Sequence, residues 1–215
     1  MNARGRFISI EGPEGGGKTT QCARLAERLR AAGREVVALR EPGGTPLGEA
    51  IRSLLQHDAA GERMAPEAET LLFLASRAHL ARQVIRPALE RGAWVVCDRF
   101  FDSTIAYQGY GRGCDVEDVI RVNEFASGGL RPDLTVLIDI DVAAGFERIA
   151  RRNSACGACN DRFEREKKEF HERVRAGFLE LARRWPDRIR TMDGAMAADA
   201  LEHEIWSRVT HEFRV

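Results

Sequence analysis

The sequence predicts an α/β fold in which a central, mainly parallel sheet is flanked by helices on both faces. Three observations predict it. Short apolar runs recur along the whole chain and alternate with helical stretches. The runs are continuously apolar, which marks strands buried on both faces of a parallel sheet. The residue types suited to holding phosphate follow the ends of these runs, where open parallel sheets place their ligands.

The first run, Phe7 to Ile10, breaks into Gly12, Pro13, Glu14, Gly15, Gly16 and Gly17, followed by Lys18, Thr19 and Thr20. Lys18 to Ala32 has a helical face of Cys22, Leu25, Ala26 and Leu29, and Gly33 is its C-cap. Glu35 to Leu39 reads as a strand, Arg40 to Thr45 as a turn and Leu47 to Leu55 as a helix. His57 to Met64 is polar and irregular. Pro66 opens a long helix, with Glu67 and Glu69 near its positive end. It runs to about Arg91, with a kink or restart at Pro87, and Gly92 stops it.

Ala93 to Cys97 is a buried strand ending in Asp98 and Arg99. A short helix holds Ser103 to Tyr107, and Gly109 to Gly113 reads as a flexible turn. Val116 to Ser127 is helical, Leu134 to Ile138 is a strand and Val142 to Arg151 is a helix. Asn153 to Asn160 is a loop and Phe163 to Arg184 a long charged helix. Ile189 to Met192 and Ala197 to Phe213 close the chain as strand and helix.

The 215 residues suit a single domain, 1–215, and 44% apolar content is ample for its core. Lys plus Arg and Asp plus Glu number 33 each, so there is no domain-wide basic footprint for nucleic acid. The N-terminal apolar run is too short for a signal peptide, and no run reaches the length of a membrane span. Five cysteines without a secretion signal point to the reducing cytoplasm.

The strongest chemical signal is Gly12 to Thr19, which fits G-x-x-x-x-G-K-[ST] between a strand and a helix. Glycines let backbone N–H groups approach a phosphate chain, and the helix N-terminus adds positive charge. Lys18 is expected to reach the β- and γ-phosphates, and the Thr19 hydroxyl to ligate Mg²⁺. Asp98, after a buried strand, is placed to approach the same ion or its waters, and Arg99 to clamp a phosphate. The alternative for Asp98-Arg99 is a surface ion pair. Phe73 and Arg77 share a helix face and could stack a base and read its edge. On spacing alone they read more readily as a core ring and a solvated arginine. Arg148, Arg151, Arg152, Arg162 and Arg165 flank the loop 153–160, as solvated charge or as a lid over transferring phosphates. Cys156 and Cys159 form a C-x-x-C pair without a second pair at finger-like spacing, so no function is required of them.

Taken together, FISIEGPEGGGKTT, REPGGT, LLFLASRAHL, DRFFDSTIAYQGYGRG, RPDLTVLID and DRFE resemble the bacterial thymidylate kinase family from end to end. The resemblance implies a P-loop kinase with a lid at about 148–165, usually a homodimer, that transfers phosphate from ATP, with Mg²⁺, to dTMP. The resemblance assigns Phe73 to stacking on thymine and Arg77 to its edge, and Arg99 to the 5′-phosphate. It lines the base and sugar pocket with Ser103, Thr104 and Gln108, crowds the sugar 2′ position with Tyr107, and sets Glu14 and Thr45 beside the same pocket. Some members carry an arginine inside the phosphate loop, where this chain has Gly15. The missing charge is therefore expected from the lid, with Arg151 and Arg152 assigned to catalysis and Arg148 and Arg162 as further candidates. The competing readings are a kinase for another nucleotide such as dUMP or CMP, a P-loop switch or partner-binding ATPase that transfers nothing to a small molecule, and a nucleic-acid-binding ATPase, which the balanced charge disfavours.

Overall fold

The computed structural model describes residues 4–61, 63–156 and 161–215. Among them, five strands form one wholly parallel sheet in the order β2-β3-β1-β4-β5. The strands are β1 (Phe7–Glu11), β2 (Val36–Arg40), β3 (Trp94–Asp98), β4 (Leu134–Asp139) and β5 (Ile189–Asp193). The central β1 pairs with β3 through Ile10 opposite Asp98, and with β4 through Glu11 opposite Leu137. The chain order reverses at β1, so the crevice beyond its C-terminal end, where loops from β1 and β3 meet, is the natural ligand position.

Both faces of the sheet are covered, and successive strand residues show it. Phe7, Val95, Cys97 and Leu137 belong to one core, with Leu80, Phe100, Phe101, Ile105 and Phe178. Ile8, Ile10, Val96, Val136 and Ile138 belong to the other, with Leu25 and Leu29 of α1 (Lys18–Ala31) and Ile205 and Val209 of α9 (Ala198–Phe213). Each such fully buried side chain is worth roughly 1.5–3 kcal/mol.

The remaining helices are α2 (Pro46–Gln56), α3 (Pro66–Leu80), α4 (Arg86–Glu90), α5 (Phe101–Thr104), α6 (Val116–Ser127), α7 (Val142–Cys156) and α8 (Lys168–Arg184). The expected long helix from Pro66 is continuous to Glu90, with a wide π-helical stretch, Ala81–Ile85, leading into Pro87. Proline offers no N–H, and the widened turn accommodates the break in the ladder.

Two expectations are corrected. Gly109 to Gly113 is not a flexible turn: α5 runs on into a π-helical stretch, Ile105–Gly111, that is largely buried. Its glycines serve close packing. A Cβ on Gly111 would lie 2.8 Å from the Phe170 ring and from Val174 of α8. The helix expected from Phe163 begins instead at Lys168, while α7 extends past Arg151 to Cys156. Cys159 and the side chain of Cys156 lie outside the described residues, and so does the expectation attached to them.

Candidate active site

A cavity of about 700 Å³ opens beyond the C-terminal ends of β1 and β3, within the range of small-ligand sites. Glu14, Gly15, Gly17, Lys18, Thr19 and Thr20 form one wall, and Asp98, Arg99, Ser103, Thr104, Tyr107 and Gln108 another. Phe73 and Arg77 of α3 and Arg148 and Arg152 of α7 complete it. Of the loop, Gly12, Pro13 and Gly16 do not line the cavity; they shape it from behind. The Pro13 carbonyl accepts from Lys18 Nζ at 2.6 Å, and the Gly12 carbonyl from Arg99 Nη1 at 3.1 Å.

Lys18 is only 6% exposed. Burial, then Arg99, lowers its pKa to about 8 against the pull of Glu14, Asp98 and Glu11. A buried ammonium whose charge is disfavoured by burial gains from an arriving phosphate. Thr19 Oγ1 donates to Asp98 Oδ2 at 2.5 Å, so a hydroxyl and a carboxylate meet at the helix N-terminus. These are hard oxygen donors of the kind Mg²⁺ takes, and the ion commonly completes its shell with water and phosphate. The residues present therefore fit such an ion. Among the described residues no cluster of three or more His, Cys, Asp or Glu could hold a metal by itself.

Arg99 is the hub of the opposite wall. Its backbone sits at φ 68, a left-handed conformation costing on the order of 1 kcal/mol outside glycine. The turn is held by Arg99 N donating to the Ile10 carbonyl at 3.0 Å. Nη2 donates to Glu14 Oε1 at 2.7 Å and to the Tyr107 hydroxyl at 2.9 Å, and Nη1 to Ser103 Oγ at 3.1 Å. Burial would raise the Glu14 pKa, but Arg99, Lys18 and the Tyr107 hydroxyl outweigh it and bring it to about 2. Glu11 behaves oppositely. Burial and the neighbouring Asp102 raise it to about 7 although Ser103, Arg99 and the Phe100 amide act to lower it. Glu11 is among the strand-end residues expected to converge, but its sequence signal, a charge at the end of a buried strand, gave it no role of its own.

Two of the expected residues, Arg77 and Thr45, are held by partners within the protein. Arg77 is 1% exposed and its guanidinium is saturated. Nε and Nη2 donate to Glu41 Oε2, Nη1 to Thr104 Oγ1 and Asn123 Oδ1, and Nη2 also to the Phe100 carbonyl. Those bonds use all five N–H donors. Arg77 thus borders the cavity as a brace, and a contact to a base edge requires one donor to be shared. Thr45 does not line the cavity; its hydroxyl caps α2 by accepting from Gly48 N at 3.0 Å. Arg40, Glu41 and Pro42 of the same turn do line it, as do Arg52 and Gln56 of α2, which the sequence reading did not single out.

The lid arginines separate. Arg148, Ile149 and Arg152 line the cavity. Arg148 Nη1 donates to the Gly194 carbonyl at 2.8 Å, and Arg152 Nη2 to Glu164 Oε1 at 2.8 Å. Arg151, expected to be catalytic, does not line it. Its side chain is 77% exposed and pairs with Glu147 one turn away, because neighbouring helix residues stand about 100° apart. Arg162 is buried against Glu69 and the Leu55 carbonyl, also off the cavity.

Gly15 is explained by α7. At φ 74, a Cβ there would lie 2.2 Å from the Gly145 carbonyl oxygen, and a Cβ on Gly145 would lie 2.4 Å from the Glu14 carbonyl oxygen. Loop and helix touch backbone to backbone, which fixes α7 and its arginines beside the phosphate loop.

Residues 10–205 match the family model described as thymidylate kinase. A thymidylate kinase of Deinococcus radiodurans is 50% identical over 208 residues, covering 97% of this chain and 98% of its own. One from Geobacter sulfurreducens is 51% identical over 91% of this chain and 92% of its own. The crystal structure of a thymidylate kinase from Ehrlichia chaffeensis superposes with a TM-score of 0.77 at 33% identity, covering 96% of this chain and 99% of that one.

Proposed function

The chain belongs to the thymidylate kinase family, and from that premise we propose that its cavity joins ATP, with Mg²⁺, to dTMP and yields ADP and dTDP. The protein is a dTMP kinase. The observation that carries the assignment of sides is the cavity itself, with Lys18 and Thr19 at one wall and Arg99, Tyr107 and Gln108 at the other.

The acceptor is a phosphate oxygen whose second pKa is about 6, so it is largely anionic at neutral pH and needs no strong base. Catalysis is alignment and charge neutralisation. Lys18 faces the β- and γ-phosphates of the donor, and the Arg99 guanidinium takes the 5′-phosphate of dTMP in place of Glu14. Arg148 and Arg152 bring positive charge from α7 toward the transferring group. Phe73, partly exposed and 5.7 Å from the Phe163 ring, offers its face to the base. Tyr107 bounds the sugar. Magnesium at Thr19 and Asp98 would neutralise charge between the phosphates. A lid that closes with Arg148 and Arg152 of α7 would exclude water and suppress ATP hydrolysis.

In the cell this activity feeds dTTP synthesis for DNA replication in the cytoplasm. We assign a homodimer because Leu71 of α3 and Val122 and Phe125 of α6 are 61%, 40% and 89% exposed on two helices packed together. Light scattering should give twice the chain mass. Among the described residues no helix is long and apolar enough to cross a membrane.

Coupled measurement of ADP formation tests the main reading. ADP should form only when dTMP, ATP and Mg²⁺ are all present, and Lys18→Ala should abolish it. ADP production independent of dTMP would overturn the assignment.

A further inference from the structure

Glu69 lies on α3 one turn before Phe73 and two before Arg77, so the three form one stripe. Its side chain is 1% exposed, and every contact it makes comes from a different part of the chain. Oε1 accepts from Gln108 Nε2 at 2.8 Å and from Arg112 Nε at 3.1 Å. Oε2 accepts from Arg112 Nη2 at 3.1 Å and lies 2.7 Å from Arg162 Nη2. Two guanidinium groups therefore face the carboxylate and fix it in place. Arg112 is itself tied to Glu166, and Arg162 Nε to the Leu55 carbonyl.

An ionised carboxylate only accepts hydrogen bonds. The Gln108 side chain is an amide with one donor end and one acceptor end. Facing Glu69 it can present only its NH₂ end, so Gln108 Oε1 must turn the other way. Gln108 lines the cavity, and among the described residues no donor bonds to that oxygen. The pocket consequently meets a base with a fixed acceptor.

The geometry points to Glu69 as a positioning residue that sets base specificity by locking the amide orientation of Gln108. The inference rests on the dTMP kinase reading above. A thymine ring carries an N3–H donor, which complements a fixed carbonyl oxygen. A 4-amino pyrimidine carries a bare N3 acceptor, which meets that oxygen lone pair to lone pair. A site built around one hydrogen-bond polarity rejects the opposite polarity far better than a shape filter does. With glutamine at position 69 the lock opens. Either amide can then offer donor or acceptor, and Gln108 can rotate to serve both kinds of base.

The test compares kcat/KM for dTMP with that for 5-methyl-dCMP, which keeps the methyl group and sugar and changes only the N3 edge and position 4. In the unaltered enzyme dTMP should be strongly preferred. Glu69→Gln should reduce that preference at least about tenfold, while the ratio of dTMP to dUMP, which reports the methyl pocket, stays within about twofold. Glu69→Asp keeps an acceptor-only group and should retain the preference. Gln108→Met should lose it, and adding Glu69→Gln to Gln108→Met should change the ratio no further.

A folded Glu69→Gln enzyme slowed equally on both substrates would reduce Glu69 to a structural brace and overturn the inference. If that variant does not fold, Gln108→Met decides, and an unchanged preference there overturns it too. Failure of the unaltered enzyme to use dTMP would instead sink the kinase reading, whatever position 69 does.

Discussion

The Arg99 guanidinium rests on the Glu14 carboxylate, Nη2 to Oε1 at 2.7 Å, and the Tyr107 hydroxyl donates to that same oxygen at 2.7 Å. The glycine-rich loop thus supplies a counter-ion that holds the Arg99 guanidinium in place. A phosphate dianion carries more charge than a carboxylate and can take over the guanidinium. Arg99→Ala should lower kcat/KM for dTMP by a hundredfold or more, about 3 kcal/mol, and leave the KM for ATP within a few fold. Steady-state kinetics on both substrates checks this.

The α7 arginines should divide by their position on the helix. Arg152→Ala or Arg148→Ala should reduce kcat by roughly a hundredfold, as for loss of a key electrostatic donor. Arg151→Ala should stay within about twofold, because its side chain projects to solvent beside Glu147. Arg162→Ala should act on folding instead, leaving Glu69 with one cation fewer, and show first as a lower Tm. Equal kcat losses at 151 and 152 would contradict this division.

Removal of Arg77 should damage stability more than substrate recognition. Arg77→Met leaves Glu41, 4% exposed, without its cation in the core. Breaking such a buried pair from one side costs about 3–5 kcal/mol. Chemical denaturation should register that loss, even where substrate protects the folded enzyme. A variant of unchanged stability with only a raised KM for dTMP would restore Arg77 to a direct role at the base edge.

Acid should expose the Glu14 cluster. Its carboxyl is depressed from 4.5 to about 2. The stabilisation is fully present above pH 4.5 and is lost as pH falls toward 2, with a ceiling of about 3 kcal/mol. Glu14→Gln should flatten that part of the stability profile, measured by denaturation at a series of pH values. Lys18 runs in a different window, since its charge in the free enzyme is lost as pH rises through about 8. The kcat/KM for ATP should fall above that pH.

The phosphate loop was legible because its function requires residue types that little else explains: glycines, then Lys18 and Thr19 between a strand and a helix. Strand order was not legible, since it depends on which buried edges meet. The saturation of Arg77 was hidden for the same reason: its acceptors come from residues 41, 100, 104 and 123. The Glu69, Phe73, Arg77 stripe could be seen in its spacing of four, but the second of two acids in a helix's first turn gives no hint that two distant arginines will reach it. Glycine at 109 and 111 misled, because local propensity favours a turn while the close approach of Val116 to Gly109 and of Phe170 and Val174 to Gly111 demands residues without a Cβ. Arg151 and Arg152 are equivalent in composition; only the rotation of α7 separates them.

The contact between Gly15 and Gly145 bears on how such enzymes can diverge. An arginine at position 15 would drive its Cβ into the backbone of α7, so it cannot be added without displacing the helix that carries Arg148 and Arg152. An ancestor moving its essential guanidinium from lid to loop must shift α7 as well, and a change at one position alone damages the enzyme before the other can compensate. The two arrangements are therefore separate adaptive peaks with a valley of reciprocal epistasis between them, and lineages are expected to keep whichever one they inherited.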